Sequence, residues 1–460
     1  MRKLARTRKT GSARTTASAN QLKKRALILA AIFLFVPASL GHAFAQATIP
    51  DTPAGNVLHA WLDAFNSGDR AKIEAYIKTF DPKESADFML SFRGQTGGFD
   101  LLAIESSEPK LIKFRVKEKT SPTVAIGSIQ LNDAQPATVE NFGIRAIPPG
   151  AVVENVKLDS TARQHVLDGV ESNLKESYVY PETAKKMNDD LHDRQKRGEF
   201  DAVTDGDVFA ALLTKDLQAV SHDKHLHVNY SPYKLPPDNN NDEPNPEEKE
   251  RHRKEMERSN CGFVKAEILT GNIGYLKFNF FANPEFCAPT AIAAMNFFAH
   301  VDAIIFDLRD NGGGDPKMVA LISTYLFNKP THLNDLYNRK DDETTQYWTL
   351  PYVPGNRLPD APAFVLTSKM TFSGAEEFSY NLKNLKRATL VGETTGGGAH
   401  PVSGHRIDDH FTVGVPFARA VNPVSKTNWE GTGVTPDVPA SSSEALDVAE
   451  KLATAKIQSK

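Results

Sequence analysis

The chain has 460 residues, too many for one ordinary domain and enough for two or three hydrophobic cores. Its formal net charge is −3, and because the first 25 residues hold nine Lys or Arg and no acid, the remainder carries −12. An acidic chain is a poor candidate for binding nucleic acids or anionic membrane surfaces, which require basic patches, so we expect no nucleic-acid partner. Two cysteines are too few for a structural zinc site and no HExxH motif occurs, so we expect no metal and no cofactor.

The first predicted element is an export signal. An apolar run of 15 residues, Ala26–Leu40, follows the basic start, and GHAFAQA places small residues at Ala43 and Ala45. This layout is typical of a cleavable secretory signal, and the run is shorter than the roughly 20 residues that span a bilayer. We therefore predict that residues 1–45 are a signal peptide and that the mature protein is periplasmic or extracellular, with no membrane span. A retained N-terminal anchor is the alternative.

Residues 49–150 are predicted to form a separate small α+β domain. Apolar residues around Trp61 lie on one face of a helix that ends at Ser67-Gly68, and a second short helix carries Tyr76. Three or four strand-like stretches follow, and the alternation in KLIKFRVKE suits a half-buried antiparallel strand. Helices followed by a curved meander, opened by WLDAFNSGD, resemble the nuclear transport factor 2-like cone fold. That resemblance implies a binding or spacer module.

Residues 155–233 are predicted to form a helical unit, and residues 234–260 a charged segment. One helix begins at Ser160, a second starts at Pro181, and the sequence DVFAALLTKDLQAV forms a third. The charged segment, KLPPDNNNDEPNPEEKERHRKEMERSN, has too few apolar side chains to bury a core. We therefore interpret it as a mobile loop or an exposed helix.

Residues 261–440 are predicted to form an α/β core, followed by a C-terminal helix or tail over residues 441–460. The segments NIGYLKF and DAIIFDLR are continuous apolar strands, and PTAIAAMNFFAH lies between them as a helix. Buried strands that alternate with helices indicate stacked strand–turn–helix units. Because export leads to an oxidising compartment, we expect a disulfide between Cys261 and Cys287, with two buried free thiols as the alternative.

Two strand-to-helix turns in this core contain candidate catalytic groups. The first is DLRDNGGG, Asp307 to Gly314, where glycines allow backbone N–H groups to point into a cleft as an oxyanion cradle. A tight turn with helix-packing glycines is the structural alternative. The second turn is TFSGAE, where Ser373 stands at the start of a helix and Gly374 leaves its own N–H open beside the serine. Taken alone, Ser373 would be interpreted as a helix N-cap.

Four motifs change that interpretation. DLRDNGGG, LTSKMTFSGAEEF, LVGETTGGG and WEGTGVTPDV occur in the order and spacing of the tail-specific or C-terminal processing protease family, and YVYPETA, VSHDKHLHV and NIGYLKF fit upstream. Over residues 155–440 the chain therefore resembles that family. The resemblance implies a ClpP/crotonase-like ββα core with a helical N-terminal unit. The whole chain is then expected to be an α/β and α+β multidomain protein whose nucleophile is Ser373.

The motifs also indicate a branch of that family. The lysine base of one branch lies 25 residues after the nucleophile, and that position here is Gly398. No PDZ insert is visible. The chain instead resembles the branch of the tricorn core protease and the interphotoreceptor retinoid-binding protein repeats. That resemblance implies a histidine base from the D-x-H motif, here His225, and an acid near the C-terminal GVxPD motif, here Glu430.

This set of side chains is chemically coherent. Serine is a weak nucleophile that needs a base, and neutral imidazole is available near pH 7. A carboxylate such as Glu430 can fix the histidine tautomer and stabilise the imidazolium. His400, close after the glycine run, is the main rival for the base, and His222 and His227 flank His225.

The resemblance also implies an oxyanion hole formed by the N–H groups of Gly313 and Gly374, with Gly312 as the neighbouring alternative. The polar residues of the first turn are expected to brace it rather than to react. These residues are Asp307, Arg309 and Asn311.

The sequence thus predicts an exported serine-type peptidase that hydrolyses a peptide or protein substrate through an acyl-enzyme on Ser373. A non-catalytic binding protein for a small apolar ligand, like the retinoid-binding relatives, is the first alternative. An interaction scaffold in the cell envelope is the second. Catalysis is favoured because a binding module has no need of a complete Ser/His/Glu set. No prediction of cleavage specificity or oligomeric state follows from the sequence.

Overall fold

The computed structural model describes residues 47–154, 156–236 and 246–459. The predicted signal peptide lies outside these ranges. Within them, no helix combines the length and apolar character needed to cross a bilayer.

The N-terminal domain packs three helices against a four-stranded antiparallel sheet. The helices are α1 (Pro53–Ser67), α2 (Arg70–Phe80) and α3 (Ala86–Thr96). The strands pair in chain order: β1 (Phe99–Ser107), β2 (Leu111–Glu118), β3 (Val124–Leu131) and β4 (Val139–Ala146). Thr52 caps α1 through its side chain, and Gly68 ends it in the left-handed conformation. The core of this domain forms around Trp61. The nuclear transport factor 2-like assignment stays a prediction.

A helical unit follows. It contains α4 (Ser160–Ser177), α5 (Pro181–Lys196) and α6 (Gly206–Ser221), and the chain then enters strand β5 (His227–Tyr230). The carboxylates of Asp159 and Asp205 accept backbone N–H groups at the starts of α4 and α6, and Pro181 occupies the first turn of α5. Of the charged segment, residues 246–258 form an exposed helix, α7 (Pro246–Arg258).

The remainder of the chain is a mixed α/β core. Its helices are α8 (Pro284–Phe297), α9 (Pro316–Thr324), α10 (Gly374–Asn384) and α11 (Ala445–Gln458). Its strands are β6 (Phe263–Leu269), β7 (Ile273–Phe278), β8 (Ala303–Asp307), β9 (His332–Asn338), β10 (Glu343–Trp348), β11 (Ala363–Thr367), β12 (Ala388–Gly392), β13 (Val402–Arg406), β14 (Phe411–Pro416), β15 (Ala418–Val421) and β16 (Val438–Pro439).

Six of these strands form the central sheet, in the order β16-β12-β11-β8-β7-β6. All neighbours are parallel except β6 and β7. Every residue of β8 and β11 is buried, because helices cover both faces of the sheet. Ile304 and Phe306 share a core with α8, α9 and α10, whereas Ile305 and Phe364 pack against α11. The carboxyl ends of β8 and β11 therefore open side by side at one edge.

Two three-stranded sheets lie outside the predictions from sequence. One has the order β10-β9-β15, and the other has the order β13-β14-β5. In the second, β5 pairs with β14 across most of the core sequence, with Val228 opposite Val413. This pairing anchors the segment just after the D-x-H motif to the α/β core.

A disulfide joins Cys261, in the turn before β6, to Cys287 in α8, with an S–S distance of 2.02 Å. Both cysteines are almost completely buried. The bond therefore lies within the main core and closes a loop of 26 positions.

Candidate active site

The turn after β8 is held by a buried ionic network. The Asp307 carboxylate, which has no exposed surface, accepts hydrogen bonds from Arg309 Nε (2.9 Å) and from Tyr275 Oη (2.6 Å). Burial by itself would raise the pKa of Asp307, but the Arg309 guanidinium holds it below its usual value. Asn311 Nδ2 donates to the carbonyl of Phe278 on β7 (2.9 Å). These contacts brace the glycine turn, as the sequence predicts for these three side chains.

The turn after β11 is bonded to the first turn. Thr371 Oγ1 donates to the carbonyl of Leu308 (2.7 Å), and the Phe372 N–H donates to the carbonyl of Asn311 (3.0 Å). Because Ser373 directly follows Phe372, these bonds fix the serine relative to the glycine turn. The two turns predicted from separate motifs form one unit.

Ser373 lies in a strained backbone conformation at the start of α10. Its φ of 53° and ψ of −119° fall where residues with a Cβ are rarely found. A serine on a sharp turn between a buried strand and a helix is the arrangement of a nucleophile elbow. The half-buried side chain donates no hydrogen bond within the described residues.

A buried carboxylate, Glu376, maintains that conformation. Its oxygens accept four hydrogen bonds, from the N–H groups of Ser373 (2.8 Å), Gly397 (2.6 Å) and Gly398 (2.9 Å) and from Thr395 Oγ1 (2.5 Å). Glu376 has no exposed surface. Burial raises its pKa, and the four donors oppose that rise. The spacing Ser-x-x-Glu is a capping-box signal that the sequence contains and that sequence reasoning missed.

The glycine pair predicted as an oxyanion hole lies beside the nucleophile, but the two N–H groups differ. A Cβ built on Gly313 would stand 2.7 Å from both Gly374 N and Ser373 Cβ, and Gly313 has a φ of 105°, so this close approach requires glycine. The Gly374 N–H has no acceptor among the described residues. The Gly313 N–H, in contrast, donates to Asn311 Oδ1 (2.9 Å) within its own turn. The Gly313 N–H is therefore already bonded in this structure, and the assignment of Gly313 and Gly374 as oxyanion donors stays a prediction.

His225 lies next to the nucleophile turn. Its ring packs on that of Phe372 with centroids 4.6 Å apart, and its backbone N–H donates to Asp223 Oδ1 (3.0 Å). The imidazole Nδ1 is buried without a partner. Among the described residues, no hydrogen bond joins the ring to Ser373. Hydrogen bonds between catalytic groups often tighten only when substrate is present.

Gly398 provides the space for this histidine. A Cβ at position 398 would approach Phe372 Cζ to 2.3 Å and His225 Cε1 to 2.6 Å. The position where the other branch carries its lysine thus cannot hold any side chain while His225 occupies its observed place. Lysine and histidine are sterically exclusive alternatives here.

Glu430 completes the cluster. One oxygen, Oε2, accepts the N–H of Ala399 (2.5 Å), whereas Oε1 is buried without a partner. Asp223, His225 and Glu430 each place one side-chain atom within 4.8 Å of the others. The structure therefore brings the predicted base and the predicted acid together beside the turn that carries Ser373.

His400, the rival base, belongs to the same cluster but has its own acid. Its Nδ1 lies 2.6 Å from Asp223 Oδ2 and 3.5 Å from Glu430 Oε2, and its Nε2 is buried without a partner. Asp223 Oδ2 also accepts from Tyr178 Oη (3.3 Å). Sequence reasoning missed the His400–Asp223 pair, which 177 positions separate. His222 is an exposed helix cap and His227 lies on β5, so neither flanking histidine joins this cluster.

Burial sets the charge states of this cluster. It lowers the pKa of His225 to about 4, because the imidazolium loses its water, although the Asp223 carboxylate partly opposes this change. Burial also raises the pKa of Glu430 to about 7, partly opposed by His400. Near neutral pH the His225 imidazole is therefore unprotonated, the form that a general base requires.

The same three side chains are also the candidate metal ligands in the described part of the chain. Imidazole and carboxylate donors suit divalent transition metals. However, both oxygens of Asp223 already accept hydrogen bonds, from the His225 backbone, Tyr178 and His400. The cluster is thus arranged for holding and moving protons between imidazoles and carboxylates.

A strained serine at a helix start, a neutral buried imidazole and nearby carboxylates define the class of serine hydrolases that act through a covalent intermediate. Sequence comparison agrees with this class. Residues 272–440 match the model of peptidase family S41, and residues 156–262 match the N-terminal domain of this family in eukaryotic IRBP. The two matches cover more than half of the chain, and the chain belongs to peptidase family S41.

One curated relative is the chloroplastic carboxyl-terminal-processing peptidase 2 of Arabidopsis thaliana, 30% identical over 171 residues. The match covers 36% of this chain and 32% of the relative, so the chain spans about a third of that protein's length. Among solved structures, the photosystem II D1 C-terminal processing protease is 23% identical with a TM-score of 0.32, over 39% of this chain and 46% of that one. The tricorn protease is 14% identical with a TM-score of 0.42, over 78% of this chain and 41% of that one.

Proposed function

We propose that this protein is an exported serine peptidase in which Ser373 is the nucleophile, His225 the general base and Glu430 the acid that supports the base. The proposal rests on one observation: the side chains of His225 and Glu430 lie close together beside the strained Ser373 turn, and the absence of a side chain at Gly398 leaves room for His225. A structural N-cap serine needs neither a strained φ nor a neutral buried imidazole nearby.

The reaction proceeds in two halves. Ser373 Oγ attacks the peptide carbonyl carbon while its proton passes to the His225 imidazole, and the Gly374 N–H donates to the developing oxyanion. The imidazolium then gives this proton to the leaving amine, and the C–N bond breaks to leave an ester on Ser373. Water attacks this ester, giving one proton to His225 and then to Ser373 Oγ, which releases the peptide acid. Glu430 stabilises the imidazolium in both halves.

The Gly313 N–H contributes to the oxyanion hole only if it is released from Asn311. This release requires the buried Asn311 side chain to turn, which also breaks its bond to the Phe278 carbonyl. We therefore assign Gly374 as the principal donor and Gly313 as a donor that substrate binding recruits.

A fluorophosphonate probe tests the proposal, because it labels only an activated serine. We expect labelling of the mature protein, and its loss in Ser373→Ala together with a fall in peptidase activity of about 10⁴- to 10⁶-fold. Ser379→Ala, on the same helix, is the matched control and should label normally. EDTA should leave labelling unchanged. More than a tenth of the activity remaining in Ser373→Ala, or labelling that persists in it, would exclude Ser373 as the nucleophile.

Export is supported by the basic start, the apolar run and the small residues at Ala43 and Ala45. The Cys261–Cys287 disulfide also suits an oxidising compartment. N-terminal sequencing of protein recovered outside the cytoplasm should begin close after Ala45. An intact Met1 terminus on protein in the cytoplasmic fraction would contradict export.

A further inference from the structure

The N-terminal domain contains a cavity of about 320 Å³ that the proposed peptide hydrolysis does not use. It opens between α1, the segment from α2 to α3, and β4. Six aromatic side chains line it: Trp61, Phe65, Tyr76, Phe88, Phe92 and Phe142. Trp61, Phe65 and Tyr76 are buried, whereas Phe88 is 47% exposed. The volume is at the lower end of the range of small-molecule sites, which is roughly 300–1,000 Å³.

Three polar groups share this aromatic cavity. The carboxyl groups of Asp81 and Glu84 line it, as does Tyr76, whose Oη is buried without a hydrogen-bond partner although the residue is only 4% exposed. Asp81 itself is 7% exposed. Among the described residues, the cation that acts on Asp81 is Lys83, which is exposed to solvent. The cavity therefore combines aromatic walls with negative charge that lacks a buried counter-ion.

Burial raises the pKa of both carboxyl groups. For Asp81 a backbone hydrogen bond and the Lys83 charge oppose the rise, and for Glu84 the Ser85 N–H opposes it (2.7 Å) while the Asp81 charge adds to it. Both carboxylates therefore carry a desolvation cost that a cation inside the cavity would offset.

We propose that this cavity binds a small organic ammonium ion, with its nitrogen near Asp81, Glu84 and Tyr76 Oη and its hydrocarbon body against the aromatic rings. The faces of aromatic rings carry negative potential and attract cations. A purely apolar ligand would leave the tyrosine hydroxyl without a hydrogen-bond partner and the two carboxylates without a counter-ion inside the cavity, which is costly in a buried site. An anion would be repelled by both carboxylates. The site is a ligand-binding site separate from Ser373, and it does not depend on the peptidase proposal.

Isothermal titration calorimetry on the mature chain tests this with two probes of nearly equal shape. Phenethylammonium carries the charge, and 2-phenylethanol is its neutral counterpart. We expect the ammonium to bind about 10-fold or more tightly than the alcohol, because cation–π and carboxylate contacts favour the charged probe. Equal affinities, tighter binding of the alcohol, or no heat from the ammonium would overturn the proposal.

Variants locate the binding. Asp81→Asn with Glu84→Gln removes both charges while keeping the shape, and should weaken phenethylammonium about 10-fold or more with little effect on the alcohol. Asp87→Asn is the matched control, since this carboxylate lies on α3 and pairs with Arg70 outside the cavity. It should change the affinity for phenethylammonium by less than about twofold. An equal loss in Asp87→Asn would show a general charge effect and refute the site. If the double variant fails to fold, Glu84→Gln alone and the two probes on the unmodified chain still decide the question.

Discussion

The two sides of the candidate active site differ in how completely their buried polar atoms are hydrogen-bonded. On the nucleophile side, Glu376 accepts four hydrogen bonds. The serine turn is tied to the glycine turn by Thr371 Oγ1, which donates to the Leu308 carbonyl, and by the Phe372 N–H, which donates to the Asn311 carbonyl. On the base side, three buried atoms have no partner in the described structure: His225 Nδ1, His400 Nε2 and Glu430 Oε1.

This difference matches the tasks that we assign to the two sides. A fully hydrogen-bonded network holds the strained Ser373 backbone in one geometry. Little entropy is then lost in positioning Ser373 Oγ when substrate binds. Unsatisfied imidazoles and carboxylates are costly in the free protein, but they can accept and release protons as charge develops. The comparison implies that changes on the base side act on proton transfer, whereas changes on the nucleophile side act on geometry.

Loss of the general base should have the largest effect on activity, and it tests this comparison most directly. His225→Ala should lower kcat/KM by about 10⁴- to 10⁶-fold, as in Ser373→Ala, because nucleophile and base act as one unit. His400→Ala should lower kcat/KM by only about 10-fold, since His400 is bonded to Asp223 and acts on the base through this carboxylate. Peptidase kinetics on both variants, with folding checked by circular dichroism, measure this. If His400→Ala is inactive and His225→Ala is active, His400 is the general base and His225 is not.

Removal of the supporting acid should have the next largest effect. Glu430→Gln should lower kcat by about 10²- to 10⁴-fold, because the amide cannot stabilise the imidazolium by charge.

The pH profile of this variant identifies the titrating group. In the unmodified enzyme kcat/KM should fall as the pH drops through about 7, where burial has raised the pKa of Glu430 and the carboxylate becomes protonated. Protonation of His225, whose pKa burial lowers to about 4, should add a second fall at lower pH. Glu430→Gln should lose the limb near 7 and keep the lower one. A single limb near 6.5, unchanged by Glu430→Gln, would contradict the assignment.

A smaller effect is expected on the nucleophile side. Glu376→Gln should lower kcat by about 10²-fold with KM nearly unchanged, since its amide nitrogen would face backbone N–H donors and loosen the Ser373 turn. Glu377→Gln is the matched control, because Glu377 is also buried on α10 but its side chain interacts with Asn334 and Asn381 rather than with the Ser373 turn. The pH limb near 7 should survive in Glu376→Gln. Its disappearance would place Glu376 among the proton-transfer groups.

The smallest effect on turnover should come from the disulfide, which lies on neither side. Replacing Cys261 and Cys287 by serine opens a loop of 26 positions and should lower the free energy of unfolding by roughly 3 kcal/mol. Urea unfolding measures this change, and kcat well below the unfolding temperature should stay within about twofold. Mass spectrometry of non-reduced peptides checks the bond. Two alkylatable thiols in the exported protein would refute it.

Much of this molecule follows from local sequence signals. Aspartates and prolines mark the starts of α4, α5 and α6, continuous apolar runs mark β7, β8 and β11, and glycines mark the turn before α9. Ser373 could be found because its turn sits between a buried strand and a helix, and because neighbouring motifs have family spacing. These signals are readable because each involves residues a few positions apart, whose side-chain period and capping chemistry are set by the backbone.

Only the tertiary structure decided which groups meet. The pairing of β5 with β14 brings His225 to the core, and the same packing places His400 on Asp223, 177 positions away. The use of the Gly313 N–H by Asn311 likewise depends on side-chain direction, which no motif encodes. Contacts between distant segments leave no periodic pattern in the sequence, because their geometry comes from the packing of whole layers. The sequence therefore named the chemical groups of the candidate site, and the fold determined their partners and, through burial, their pKa values.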